Sequence, residues 1–376
     1  VEFFADHTGA RIRLGRADCA ALSGPSLKAR LPDPNADAAI LFTSGTTSRA
    51  KGVLWTHANA LWGAQLGALH LGLRAEDVFQ VCLPLCHVVG FSWSVLPAIW
   101  AGATIVLQPR FSASRYWDAA MAHRCTVASH VHFTSGVLGR QAFPQGHAFR
   151  VWGNSVSSAA LESKLSARVV GWWGMTEMVS SGIVGDIVSI PHEGAIGRPS
   201  IGYGLRVRRE DGSESPPGEP GELQMHGVRG VSIFKEYFRD EQATADAFTA
   251  DGWFRTGDRV VRNADGTIRF AERAKDVIKV GGENVSPADV ERVLLSVPGV
   301  TEAAAVGRPD PVYGEVVVAF VAGPDSGALA SRVLAHCTAS LSRFKVPREV
   351  IVLDALPRGN LGKIAKPELR RLALTR

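Results

Sequence analysis

Cysteine, tyrosine and methionine are scarce in this 376-residue chain, at five, four and four copies. An odd set of five cysteines (Cys19, Cys82, Cys86, Cys125, Cys337), mostly among apolar residues, makes a poor disulfide framework and points to a reducing, cytoplasmic setting. No secretory signal opens the chain. Cys82, Cys86 and His87 lie close together, but no second Cys/His pair stands at ligand spacing, which argues against zinc. A Gly-Lys-Ser/Thr triplet is also lacking, and with it a Walker A loop. Between Val78 and Pro109 there is no Asp, Glu, Lys or Arg, a run to be weighed as a membrane span. Pro97 and Gly102 interrupt it, and Ala103–Leu107 reads as a strand after a helix ending near Trp100. A buried helix, turn and strand is the better account, with no transmembrane segment.

What is present is a large apolar fraction, 46%, with 20% charged residues, enough for a sizeable core and too long for one ordinary domain. The expected class is α/β. Strand-like runs (Ala39–Phe42, Ala103–Leu107, Arg168–Gly171) alternate with helical stretches (Ala58–Leu71, Arg115–His123), the pattern of an α/β sandwich. From Leu205 to Gly266, short strands at Leu205–Arg208, Glu222–His226 and Thr267–Ala271 are separated by Asp-Gly turns, as in a small antiparallel β unit. Beyond Lys275 an α+β pattern begins. It has a helix from Pro287 to Val297 capped by Ser286, strands at Glu302–Val306 and Glu315–Val321, a helix at Leu329–Leu341 and a strand at Glu349–Leu353. The expected domains are 1–274, large and multi-layered, and 275–376, small and mobile.

The net charge of +5 is unevenly placed: Leu341–Arg376 holds nine Lys and Arg against three acidic residues. Such a tail suits a nucleic acid, an anionic membrane or a small polyanion, or is a solvated basic face. The segment Thr43-Ser44-Gly45-Thr46-Thr47-Ser48-Arg49-Ala50-Lys51-Gly52 concentrates hydroxyls, backbone amides and cations. After a strand and before a helix, it reads as a phosphate-cradling loop.

This loop is followed, in order, by Trp173-Gly174-Met175-Thr176-Glu177, Gly221-Glu222-Leu223, and Trp253-Phe254-Arg255-Thr256-Gly257-Asp258. Arg273-Ala274-Lys275-Asp276 with Gly281-Gly282-Glu283-Asn284 and Pro357-Arg358-Gly359-Asn360-Leu361-Gly362-Lys363-Ile364 complete the series. Six motifs in this register resemble the adenylate-forming superfamily of acyl-CoA synthetases, adenylation domains and luciferases, along essentially the whole chain. Residues around Phe111–Trp117, Gly182–Asp186 and Arg273–Val285 are most similar to the crotonobetaine/carnitine-CoA ligase-like members.

The resemblance implies an AMP-forming acid-thiol ligase with ATP and coenzyme A as co-substrates and Mg²⁺ as cofactor, acting on a small-molecule carboxylic acid and not on nucleic acid. It implies that Thr43, Ser44, Gly45, Thr46, Thr47 and Lys51 hold the β- and γ-phosphates. Thr176 would meet the α-phosphate region and Glu177 the metal, while Gly153, Asn154, Ser155, Trp173, Gly174 and Met175 border adenine. Asp258 and Arg273 would take the ribose, and Lys363 would offset charge at the reacting oxygen. Lys275 becomes the hinge, with Gly281, Gly282 and Glu283 on the coenzyme A side. His87 would gate an acyl pocket lined by Val88, Phe91, Trp93, Phe133 and Gly174. Gly174, with its bulky neighbours shifted to Trp172 and Trp173, implies an open pocket floor and acids larger than acetate.

The sequence departs from the family at Ser48, Ala50 and Trp172, and only 42 residues precede Thr43, where family members carry a substantial region. A fragment, or a large domain lacking a layer, is implied. Alternatives to the coenzyme A ligase are an enzyme loading a carrier-protein thiol and an inactive relative that binds nucleotide. The oligomeric state is open, a homo-oligomer included.

Overall fold

A computed structural model of the chain describes residues 33–43, 51–188, 193–273, 278–280, 283–324, 326–359 and 362–375. The central element is a seven-stranded sheet. Its strands run in the order Thr104–Leu107, Val78–Val81, Val127–Ser129, Val151–Asn154, Arg168–Trp173, Ile183–Val184 and Arg198–Pro199. The first five are parallel and the last two antiparallel. Val127–Ser129 and Val151–Asn154 are buried along their whole length, as expected of parallel strands covered on both faces. The uncharged stretch after Val78 folds as a strand, a π-helical turn at Phe91–Val95, the helix Leu96–Ala101 and the strand Thr104–Leu107. No helix among the described residues is long and apolar enough to cross a membrane.

Asp37–Phe42 departs from expectation. It is not a strand of the parallel layer but pairs antiparallel with Gly52–Thr56, and Glu236–Tyr237 completes a separate three-stranded sheet. The Thr43–Lys51 loop therefore joins two strands and does not open a helix. The β-branched and aromatic run Val53-Leu54-Trp55-Thr56 delays the helix to His57–His70, where a Thr56–Asn59 capping box starts it.

Four antiparallel strands, Gly204–Arg208, Pro220–His226, Phe254–Arg262 and Ile268–Arg273, form the β unit. Gly252 and Gly266 turn at φ 85° and 81°, values that favour glycine. Residues 278–374 contribute a five-stranded sheet and its helices. The period of two splits its core. Ala303, Ala305, Val317, Ala319 and Val321 pack on the helices Pro287–Leu295 and Ser326–Ser340, while Ala304, Val306, Val318 and Phe320 pack on Lys366–Leu374. The larger apolar core runs from Leu41 to Ile268.

Candidate functional site

The C-terminal ends of Val151–Asn154 and Arg168–Trp173, where ligands of open α/β sheets bind, carry Gly153, Asn154 and the segment from Trp173 to Glu177, while Asp258 and Arg273 come from the antiparallel β unit. Ser44, Gly45, Thr46 and Thr47 lie outside the described residues, as do Lys275, Gly281 and Gly282. Both ends of the loop are described and pinned together. Thr43 N–H donates to Lys51 O at 3.0 Å, and Lys51 N–H donates to Thr43 Oγ1 at 3.2 Å.

After Arg168–Trp173 the chain makes a tight turn at Thr176–Met178, closed by Val179 at φ 63°. A β-branched residue in that region is strained and persists only where its surroundings over-determine it. Here four consecutive carbonyls are each taken by a different element. Trp55 Nε1–H donates to Thr176 O (3.0 Å), Phe234 N–H to Glu177 O (2.8 Å), Tyr203 O–H to Met178 O (2.8 Å) and Ser92 O–H to Val179 O (2.6 Å). The Glu177 carboxylate is only 3% exposed and accepts from Tyr237 O–H at 2.7 Å. Burial and the Glu177 charge both push the Tyr237 hydroxyl up, so it stays protonated as a donor. None of Trp55, Ser92, Tyr203 and Tyr237 was marked by a sequence motif. Each acts through a contact between distant segments.

Trp173 Nε1–H donates to Asp258 Oδ2 at 2.8 Å, between side chains 8% and 4% exposed. Asp258 N–H donates to Thr256 Oγ1, whose hydroxyl donates to Leu223 O, fixing the turn. Arg273 lies opposite Asp258 in the strand register. Gly153 and Asn154 end their strand beside Gly171, with Ser155 just beyond. A Cβ on Gly153 would lie 1.9–2.5 Å from three ring carbons of Trp172, so the indole occupies the space of the missing side chain.

His87 Nδ1 accepts from Val89 N–H at 3.3 Å, which leaves Nε2 to carry the hydrogen of the neutral ring. Burial, then the charge of Lys363, lowers its pKa from 6.5 to about 4, so the ring is neutral at pH 7. The charge of Lys363 is thus felt at the His87 ring. Its neighbour Gly362, at φ 70°, approaches Phe133 so closely that a Cβ would lie 2.5 Å from Cδ1, and Arg358 sits over the same ring at 5.1 Å. Val88 and Trp93 are buried, and Phe91 is partly so. The open floor expected at Gly174 is absent. Trp93 lies over this glycine, with Cζ2 2.6 Å and Cη2 3.1 Å from where a Cβ would be, and it meets Trp172 edge-on at 5.2 Å. An indole from the π-helical turn fills the space that Gly174 leaves.

The AMP-binding enzyme model matches residues 8–238, and its C-terminal domain model matches 289–363. The chain belongs to the AMP-binding enzyme family. Among curated members it is 36% identical over 348 residues to the sulfoacetate–CoA ligase of Cupriavidus necator, covering 90% of this chain and 67% of the relative. It is 32% identical over 343 residues to the crotonobetaine/carnitine–CoA ligase of Salmonella paratyphi C, covering 89% and 66%. The chain therefore spans about two thirds of the length of these AMP-binding enzymes. Among solved structures, ATP-bound MatB from Rhodopseudomonas palustris superposes with a TM-score of 0.85 at 29% identity, covering 95% of this chain and 72% of that one. The O-succinylbenzoate coenzyme A synthetase (MenE) of Bacillus subtilis, in complex with ATP and magnesium ion, gives 0.78 at 31%, covering 90% and 70%.

Proposed function

We propose that this chain joins a carboxylic acid to coenzyme A in two steps. A carboxylate oxygen attacks the α-phosphorus of ATP, forming acyl-AMP and releasing pyrophosphate. The thiolate of coenzyme A then attacks the acyl carbonyl and AMP departs. The first step brings two anions together, so it needs fixed cations and orientation more than a protein nucleophile. The observation that carries this reading is the approach of Gly362, next to Lys363, to Phe133 on the segment that follows one parallel strand, in the same sheet whose strand ending at Trp173 leads into Glu177 and is bonded to Asp258.

In this reading the Thr43–Lys51 loop holds the β- and γ-phosphates, Thr176 lies near the α-phosphate and Asp258 takes the ribose, with Arg273 opposite. Gly153, Asn154, Ser155, Trp173, Gly174 and Met175 border adenine. His87 offers Nε2–H to the acid, and Lys363 offsets charge on the attacking oxygen. Among the described residues no three His, Cys, Asp or Glu could hold a metal together. One buried carboxylate, Glu177, suits Mg²⁺, which keeps waters and binds through substrate phosphates. Bound there, the ion would neutralise phosphate charge.

The small domain begins at Lys275, and Gly281, Gly282 and Glu283 serve the coenzyme A side. The described cysteines, Cys82, Cys86, Cys125 and Cys337, are free, which supports a cytoplasmic setting. The packing of Trp93 on Gly174 supports a short acid, and so does the similarity to a ligase named for sulfoacetate. A panel of acids assayed for AMP release with and without coenzyme A tests the reading. AMP release with a short acid that coenzyme A accelerates is expected. Release that only a carrier-protein thiol accelerates, or none with any acid, would overturn it.

A further inference from the structure

Tyr237 joins two parts of the site that are far apart in sequence. Its hydroxyl donates to Glu177 Oε1 at 2.7 Å, and its ring lies 4.5 Å from Lys51 Nζ. The backbone explains how one residue reaches both. Tyr237 pairs with Val53, two residues past Lys51 on the strand leaving the phosphate loop. Phe234 N–H, at the other end of the same short segment, donates to Glu177 O. The segment is thus laced to the strand Gly52–Thr56 on one side and to the Thr176–Met178 turn on the other, and Tyr237 is 6% exposed between them.

A carboxylate and an ammonium enclosed in one site are driven to pair with each other, because each is costly to bury alone. Paired, neither would be available to a nucleotide. Tyr237 gives each a different partner: the hydroxyl takes one oxygen of Glu177, and the electron-rich face takes the cation. We propose that Tyr237 is a positioning residue that sets the separation of the phosphate-loop cation from the carboxylate on the metal side. This rests on the roles of Lys51 and Glu177 given under Proposed function.

The test uses Tyr237→Phe, which deletes only the hydroxyl, and Tyr237→Leu, which also removes the ring face. ATP binding is measured by calorimetry in EDTA, and Mn²⁺ binding to the ATP complex by electron paramagnetic resonance. Loss of a group that orients a metal ligand typically costs about 10–100-fold in metal affinity, so Tyr237→Phe should weaken Mn²⁺ by about tenfold or more while metal-free ATP affinity stays within about twofold. Tyr237→Leu should weaken metal-free ATP binding as well. Normal ATP binding with unaltered Mn²⁺ affinity in Tyr237→Phe would overturn the proposal alone. So would equal weakening of both by both variants, which marks a merely structural residue. Failure of the unmodified chain to bind ATP would overturn the reading of the site and this proposal with it.

Discussion

The indole N–H of Trp173 donates to Asp258 Oδ2 at 2.8 Å, joining the end of the central sheet to the antiparallel β unit across 85 residues of sequence. The bond fixes one carboxylate oxygen and so orients the other. Trp173→Phe keeps an aromatic ring but removes the donor. A hydrogen bond to a charged group contributes roughly 1.5–3 kcal/mol, so the KM for ATP should rise about 10-fold or more with the KM for the acid little changed. Steady-state kinetics with each substrate varied checks this. A change confined to the acid would remove Asp258 from the nucleotide side.

Gly153 and Trp172 make a second interlock. Gly153→Ala would drive a methyl group into the indole, and overpacking of this kind costs about 1–3 kcal/mol. A lowered thermal midpoint is expected, recovered in the double variant Gly153→Ala/Trp172→Leu. Independent, additive losses would mean that the two do not share this space.

Trp93 should set the length of the acid. The unmodified chain is expected to prefer acids of about two to four carbons, because a hydrophobic site discriminates each extra methylene by roughly 1–3 kcal/mol. Trp93→Ala should extend activity to hexanoate or longer, while Gly174→Ala, pressed against the indole, should depress it for all acids. Hexanoate preferred by the unmodified chain would contradict the packing at Gly174.

The fold was largely legible in the sequence. Asp-Gly turns marked the β unit, and Ser286-Pro287 marked a helix seen at Pro287–Leu295. Ala39–Phe42 reads as a strand of the α/β sandwich but pairs instead with Gly52–Thr56, because the strand-forming Val53, Trp55 and Thr56 separate the loop from the next helix and local pattern does not say which strand pairs with which. The site motifs were legible as short strings, but Tyr237, Trp55 and the Trp93–Gly174 packing were not. Those depend on long-range contacts that leave no periodicity. Gly174 shows the cost of reading a pocket from one position, since a side chain 81 residues away fills the space it leaves.

Lys363 and His87 can be tested together. The lysine is the lesser cause of the lowered His87 pKa, after burial, so Lys363→Ala should raise that pKa modestly from about 4 without restoring 6.5. NMR titration of the His87 ring reads this directly. The same variant should lose acyl-AMP formation by about 100-fold or more while keeping transfer from supplied acyl-AMP to coenzyme A. Equal loss of both half-reactions would make the lysine structural. The half-buried His70, with a pKa of about 4, behaves like His87. Both bind more protons unfolded than folded between pH 6.5 and about 4, so stability should fall as the pH drops through that window.

Oxygen tracing tests the central claim most directly. An active acid labelled with ¹⁸O in its carboxylate is turned over with ATP and coenzyme A, and the nucleotide products are weighed by mass spectrometry. Attack of the carboxylate on the α-phosphorus predicts AMP carrying one ¹⁸O, with unlabelled pyrophosphate. ADP with label in inorganic phosphate would contradict it.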